Sequence, residues 1–424
     1  MRILCIGMSH KTAGVALRER VAFDQAACTG ALADLSGRWQ DAEFAVLSTC
    51  NRTEIYTARP LHGHPRDHEL RRWFAGQGGL AAGELDASLY ALADADAVGH
   101  LLAVAAGLDS LVVGEAQIAA QVKDAYLAAT RAATSGATLN LLFQSALGAA
   151  KRIRNETGIG TSSRSVASLA IECAGRCLGR LEGKAVLSVG AGKMNHLMLR
   201  RLTELGAGPV VIANRSSDRA AKLAEAVGGR AAGFDELPRL LARADVVVAS
   251  TASEAPIITR SMVADAAAAR NGRPLLIVDI AVPRDVEEAV GELPGVRLYD
   301  IDDLERLVAA ESAPDPARRQ AAERIIAEAA EDVLAAIKVR TVAPTIEAMY
   351  RYMRTIADAE LNAAFNKLAT HEDAETDKQI LQRALRRTIR RIIHPAVLNL
   401  RNSSAADAAS AHATALRKLF DLDA

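Results

Sequence analysis

The stretch Val46-Leu47-Ser48-Thr49-Cys50-Asn51-Arg52-Thr53 ends an apolar run on a cysteine set among hydroxyls, an amide and an arginine. A structural cysteine is normally buried among apolar side chains, where its thiol stays protonated and inert, whereas a cation one or two residues away favours the thiolate. Cys50 is therefore a candidate nucleophile, to be weighed against an ordinary strand-end turn that happens to hold a cysteine. A second chemical pattern lies in VLSVGAGKMNHLML, where Gly190-Ala191-Gly192 follows an apolar strand and precedes a helix. Such a turn aims backbone amides and a helix N-terminus at a pyrophosphate. Asn195 stands at the third glycine of the full fingerprint, so Gly190, Ala191, Gly192, Lys193, Met194 and Asn195 form a candidate cofactor turn of moderate specificity. About 20 residues on, where NAD binders place an acid for the ribose hydroxyls, this chain has Asn214, Arg215 and Ser216. An arginine there pairs with a 2′-phosphate, which makes NADPH the expected cofactor. The alternative for Arg215 is a solvated helix-start residue.

A reduced nicotinamide and a thiolate together fit the reduction of an activated acyl group to an aldehyde: attack by sulfur, a thioester, then hydride delivery to its carbonyl. Around these groups the chain must build several cores. Its 424 residues, half of them hydrophobic, suit about three domains. Basic and acidic residues balance at 51 each, which argues against a nonspecific polyanion binder. Five cysteines without a regular framework, and a start that lacks the parts of a signal peptide, point to a reduced, cytoplasmic protein with Cys50 available as a thiol. No apolar run approaches the roughly 20 residues of a membrane span.

The first segment mixes short apolar runs (RILCIG, EFAVLS, EIYTA) with amphipathic stretches and reads as an α+β unit, turning helical from Ala91 to about Arg154. Strands AVLSVG, PVVIAN, ADVVVAST and PLLIVDI then alternate with helices, as in βαβ units on a parallel sheet. From near Leu304 the pattern is almost wholly helical, with a long Ala-rich helix suited to bridging or dimerisation.

The chain resembles the glutamyl-tRNA reductase family, NADPH-dependent enzymes that make glutamate-1-semialdehyde for tetrapyrrole and haem biosynthesis. The resemblance runs in the family's order through GMSHKTAGVALRERVAF, LSTCNRTEIY, GLDSLVVGEAQIAAQVKDAY, AKRIRNETGIG, SVGAGKMN, VIANRSSDRA, STAS and VDIAVPRDVE. It implies an N-terminal α+β catalytic and glutamyl-tRNA recognition domain (1–155), a Rossmann-like NADPH-binding domain (156–312) and an all-helical dimerisation domain joined by a long helix (313–424). It also implies Cys50 as nucleophile, His100 as acid or base near the thiol, and substrate contacts from Thr49, Asn51, Arg52, Ser110, Glu115, Ala116, Gln117 and Gln121. Arg52 has a physical reason to be there, since a guanidinium fork binds a γ-carboxylate bidentately. Gly14 and Ala116 stand where family members usually carry proline. The implied partners are glutamyl-tRNA and a second copy of the chain, with no membrane; docking with glutamate-1-semialdehyde aminomutase is left open.

The rival readings are an NADP-dependent oxidoreductase of the shikimate dehydrogenase type, which would not need Cys50, and a non-catalytic RNA-binding or regulatory relative. Three further features carry less. His62, His64 and His68 lack the spacing of a metal site and read as an exposed loop, so no metal is expected. Cys173 and Cys177, one helical turn apart, read as buried small residues. The basic stretch near 383–401 fits tRNA phosphates or a solvated helix face equally well.

Overall fold

The computed structural model describes the chain except for residues 82, 111–113, 115, 161–165, 252, 254, 312–314, 369–373, 403–405 and 423–424. The N-terminal unit begins with β1 (Arg2–Ser9), α1 (Val15–Arg20), α2 (Gln25–Arg38), β2 (Glu43–Ser48), β3 (Arg52–Arg59), α3 (Asp67–Gln77) and β4 (Tyr90–Ala93). Its four strands form an antiparallel sheet in the order β2-β3-β1-β4. β1 is buried along all but its first residue, as a continuous apolar run announces. β3 is buried along all but its last, although it reads RTEIYTAR. Arg52 and Glu54 are thus drawn into the interior by the strand that carries them, and each needs an internal partner.

Helices α4 (Ala95–Ala105), α5 (Ala116–Arg131) and α6 (Ala137–Thr157) complete this unit. The parallel-sheet unit follows with α7 (Val166–Leu178), β5 (Val186–Val189), α8 (Lys193–Glu204), β6 (Val210–Ala213), α9 (Ser217–Val227) and β7 (Arg230–Ala232). It continues through α10 (Leu237–Arg243), β8 (Val246–Ala249), α11 (Arg260–Ala268), β9 (Leu275–Asp279), β10 (Val296–Tyr299) and α12 (Ile301–Glu311). All neighbouring strands are parallel, in the order β10-β9-β8-β5-β6-β7. That is the doubly wound dinucleotide-binding order, whose reversal between β5 and β8 opens a crevice at the carboxyl ends of the strands. The helices cover both faces, in two separate apolar cores.

The rest is helical: α13 (Pro316–Leu368), α14 (Ala374–Asn402) and α15 (Ala406–Leu419). α13 serves two cores. Its first half contributes Ala322, Ile325, Val333 and Ile337 to the N-terminal core, and its second half packs Val342, Ile346 and Met349 with Ile393, Val397 and Leu400 of α14. Among the described residues no helix is long and apolar enough to cross a membrane.

Candidate active site

β2 and β3 pair antiparallel, with Ser48 opposite Thr53, so Thr49, Cys50 and Asn51 form the tip of a tight hairpin. The Thr49 hydroxyl accepts from the backbone N–H of Asn51 and of Arg52, both at 3.2 Å, while the Thr49 N–H donates to the Arg52 carbonyl at 2.8 Å. A local side-chain bond of this kind fixes a turn without help from the sheet. The Asn51 carbonyl accepts from the His10 N–H at 2.9 Å, and the Cys50 carbonyl from Arg18 Nη1 at 2.6 Å. The hairpin tip is therefore held from both sides, and Cys50 is half-buried upon it.

Beneath the tip lies a buried charge network. Arg52 Nη1 donates to Glu54 Oε1 at 2.7 Å, and Nη2 to the Asp109 carbonyl and carboxylate at 2.6 and 3.0 Å. Lys11 pairs with the same Asp109 carboxylate. Glu54, fully buried, also accepts from Tyr90 Oη and Tyr56 Oη, both at 2.6 Å, and meets His100 Nε2 at 2.8 Å. Burial pushes the Glu54 carboxyl up, but the Arg52 guanidinium and the His100 and Tyr56 hydrogen bonds outweigh it and hold the group well below the usual carboxylate range. His10 is held neutral, its pKa lowered to about 4 by burial first and then by Arg52 and Lys11.

Two expected roles meet different geometry here. Both terminal nitrogens of Arg52 are engaged inside the protein, because a cation on a buried strand needs compensation; the fork does not stand open to a carboxylate. His100 reaches Glu54 rather than the pocket around Cys50, since α4 packs behind the sheet and its imidazole meets Tyr90 edge-on at 5.4 Å. Cys5, Glu54 and His100 bring ligand atoms within 4.8 Å of one another. Glu54 already accepts from four donors, so this trio belongs to the hydrogen-bonded core.

The pocket at the hairpin tip encloses about 590 Å³, open mouth included. Thr49, Cys50, Asn51 and Arg52 line one side, joined by Ser110, Gln117, Ile118 and Gln121. Ala116 is the first residue of α5, the helix that carries Gln117, Ile118 and Gln121, and Glu115 lies outside the described residues. The facing wall comes from the other unit: Met194 in the first turn of α8, Ile280 just past β9, and Ile301 at the start of α12. All three sit at the carboxyl edge of the parallel sheet, where that fold places its ligands.

The dinucleotide turn fits such a ligand. Gly190 has φ +102°, and a Cβ there would lie 2.3 Å from the Ser250 carbonyl oxygen, so only glycine fits. A Cβ on Gly192 would meet nothing of the protein closer than 3.8 Å, so the space above the α8 N-terminus is open to an approaching group. Asn195 is fully buried, its Nδ2 donating to the Val189 and Gly190 carbonyls at 3.0 and 2.9 Å. It therefore braces the turn from below and does not face the crevice. Asn214 closes the next turn through Ser216, which caps α9 by accepting from the Arg219 N–H. Arg215 between them is exposed and, among the described residues, has no internal partner.

Several side chains of this candidate site were not legible in advance. Glu54 had a signal, two residues from Arg52 on one strand face. Asp109 adjoins Ser110, whereas Arg18, Ile280 and Ile301 reach the site only by packing. Of the three histidines read as a loop, His68 belongs to α3, and His64 pairs with Glu69 at 2.7 Å.

A thiol on a braced hairpin, sharing a pocket with the crevice of a dinucleotide-binding sheet, defines a nicotinamide-dependent oxidoreductase with a helical C-terminal extension. Family models agree in all three parts: "Glutamyl-tRNAGlu reductase, N-terminal domain" matches residues 6–157, "Shikimate / quinate 5-dehydrogenase" residues 172–307, and "Glutamyl-tRNAGlu reductase, dimerisation domain" residues 321–422. A glutamyl-tRNA reductase of Moorella thermoacetica is 39% identical, covering 100% of this chain and 95% of the relative. One of Rubrobacter xylanophilus is 40% identical over 100% of this chain and 97% of its own. The solved glutamyl-tRNA reductase of Methanopyrus kandleri is 32% identical with a TM-score of 0.55, over 100% of this chain and 99% of that one. The chain belongs to the glutamyl-tRNA reductase family. The shikimate dehydrogenase likeness accounts for the middle unit alone.

Proposed function

We propose that this chain reduces the glutamyl group of glutamyl-tRNA to glutamate-1-semialdehyde with NADPH, through a thioester on Cys50, in the cytoplasm and as a homodimer joined by its helical region. The observation that carries the reading is that Cys50 and the apolar wall of Met194, Ile280 and Ile301 line one pocket. The Cys50 thiolate attacks the ester carbonyl; a C–S bond forms, the C–O bond to the tRNA ribose breaks, and the departing oxygen takes a proton from solvent. The Gly190 to Gly192 turn and the α8 N-terminus would hold the pyrophosphate of a reduced nicotinamide cofactor, which would supply the hydride that turns the thioester into aldehyde and frees the Cys50 thiolate. Met194, Ile280 and Ile301 keep water from the carbonyl. Thr49 and Asn51 hold the hairpin, and Ser110, Gln117 and Gln121 offer polar contacts to the glutamyl group; Glu115 and Ala116, next to Gln117 in sequence, are proposed as further substrate contacts. Arg52 supplies positive charge beneath the γ-carboxylate, while His100 holds Glu54 and through it Arg52. Arg215, exposed and without an internal partner among the described residues, receives the 2′-phosphate. The domains divide near residues 155 and 312.

The deciding experiment is NADPH oxidation and aldehyde formation with charged glutamyl-tRNA, against free glutamate as control. Turnover with the charged tRNA alone is expected. Turnover with free glutamate, or none with either, overturns the reading.

A further inference from the structure

Helix α1 lies between the Cys50 hairpin and the dinucleotide unit and touches both. Arg18 is buried at 2% exposure. Its Nη1 donates to the Cys50 carbonyl at 2.6 Å and to Asn51 Oδ1 at 3.3 Å, and its Nη2 pairs with Asp302 Oδ1 on α12. The other Asp302 oxygen accepts from the Val15 N–H at 3.1 Å. Next along the helix, Glu19 Oε1 accepts from the backbone N–H and Nε of Arg284, at 2.6 and 3.0 Å. Asp302 adjoins Ile301, and Arg284 lies in the segment that starts with Ile280. Both contacts on α1 therefore come from stretches that line the cofactor side of the pocket. Among the described residues Arg18 Nε is buried without a partner, so this guanidinium depends for its compensation on the two groups it joins.

We propose that Arg18 is a positioning residue that ties the peptide of the nucleophile to the docked dinucleotide unit, with Asp302 and the Glu19–Arg284 pair as the latch. The proposal rests on the reading of Cys50 as the acylated thiol. When the unit docks, Asp302 neutralises Arg18, and the guanidinium fixes the Cys50 carbonyl and the Asn51 side chain in one orientation beneath Ile301. Charged hydrogen bonds supply this direction because they lose strength steeply with misalignment. Acyl transfer from tRNA needs the hairpin but not the latch. Hydride transfer needs both, because donor and thioester arrive on different units.

The test is Asp302→Asn in the full chain, which leaves Arg18 and its hairpin contacts present. Two quantities are read with labelled glutamyl-tRNA: acylation of Cys50 without NADPH, and the division of the thioester between aldehyde and free glutamate at saturating NADPH. Acylation should stay within about twofold of wild type, while the aldehyde share falls roughly tenfold or more, as loss of a buried charge partner implies. Glu19→Arg should lower the share likewise, and Glu19→Arg with Arg284→Glu should recover part of it. An unchanged share, or acylation and reduction falling together, overturns the latch. If the wild-type enzyme forms no acyl-enzyme, the thioester reading fails instead. The latch is then judged by hydrogen exchange alone: Asp302→Asn should speed exchange at Val15 and also at Asn51 and Arg52, and no change at the hairpin amides overturns it.

Discussion

The two walls of the pocket solve opposite problems. On the hairpin side the charges are buried and already paired: Arg52 with Glu54 and Asp109, Asp109 with Lys11, Glu54 with two tyrosines and His100. On the dinucleotide side the crevice is lined by Met194, Ile280 and Ile301, and Arg215 stands exposed and, among the described residues, without an internal partner. The first wall is a preorganised electrostatic floor that exists without ligand, and its cost is met by the fold. The second leaves its charge to be neutralised by what binds. Substitutions on the hairpin side should therefore harm stability or chemistry, and those on the dinucleotide side should change affinity.

The largest expected effect breaks the chemistry alone. Cys50→Ser should keep the fold, since the half-buried side chain changes by one atom, yet lower aldehyde formation by roughly a thousandfold or more, the scale seen when a nucleophile is removed. Near-normal turnover would rule out the thioester. Next, Glu54→Gln should destabilise the N-terminal unit by about 3 to 5 kcal/mol in denaturant titration, because buried Arg52 loses its fully buried counter-charge and keeps only Asp109, which it shares with Lys11. A loss below ~1 kcal/mol would mean that the floor is not held by its charges. On the other wall, Arg215→Ala should leave stability unchanged and weaken NADPH by about 2 to 3 kcal/mol, the worth of charge-assisted bonds to a phosphate, with little effect on NADH. Equal weakening of the two cofactors would make Arg215 structural.

The smallest effect sharpens the contrast through pH. His10 titrates near 4 in the folded protein against 6.5 ordinarily, so the unfolded chain binds more protons between those values and stability falls as pH drops through them. Asp279, at the end of β9, is pushed up to about 7 from 3.8 by burial and then by Asp285. There the folded chain binds more protons, and stability falls as pH rises from about 4 to 7. His10→Gln and Asp279→Asn should each remove a slope on the order of 1 kcal/mol per pH unit, of opposite sign. Slopes of the same sign, measured by denaturant titration across that range, would contradict one of the two environments.

Much of this molecule is written in local pattern. Strands that alternate with helices after Ala185 specify a parallel sheet, because the period changes from 2 to 3.6 along the chain and both faces must be covered. Gly190 is legible for a similar reason: its turn demands a positive φ and a close approach to Ser250. Cys50 and Arg215 stand out because a reactive or charged residue beside a strand end needs an explanation within a few residues. Asn195 shows the limit. A fingerprint position marks where a residue stands but not which way it points, and burial turned this one inward to brace the turn.

What sequence alone determined is therefore the set of parts: a candidate nucleophile on a strand end, a candidate cofactor turn, a helical tail, and the family to which they belong. Tertiary structure alone decided how they meet. Arg52 spends its nitrogens on Glu54 and on Asp109, 57 positions away, and Arg18 joins Cys50 to Asp302, which lies 284 positions beyond Arg18 itself. No periodicity encodes such pairs, since a local pattern reports which face of an element is buried, whereas the partner across the interface follows from how whole units dock.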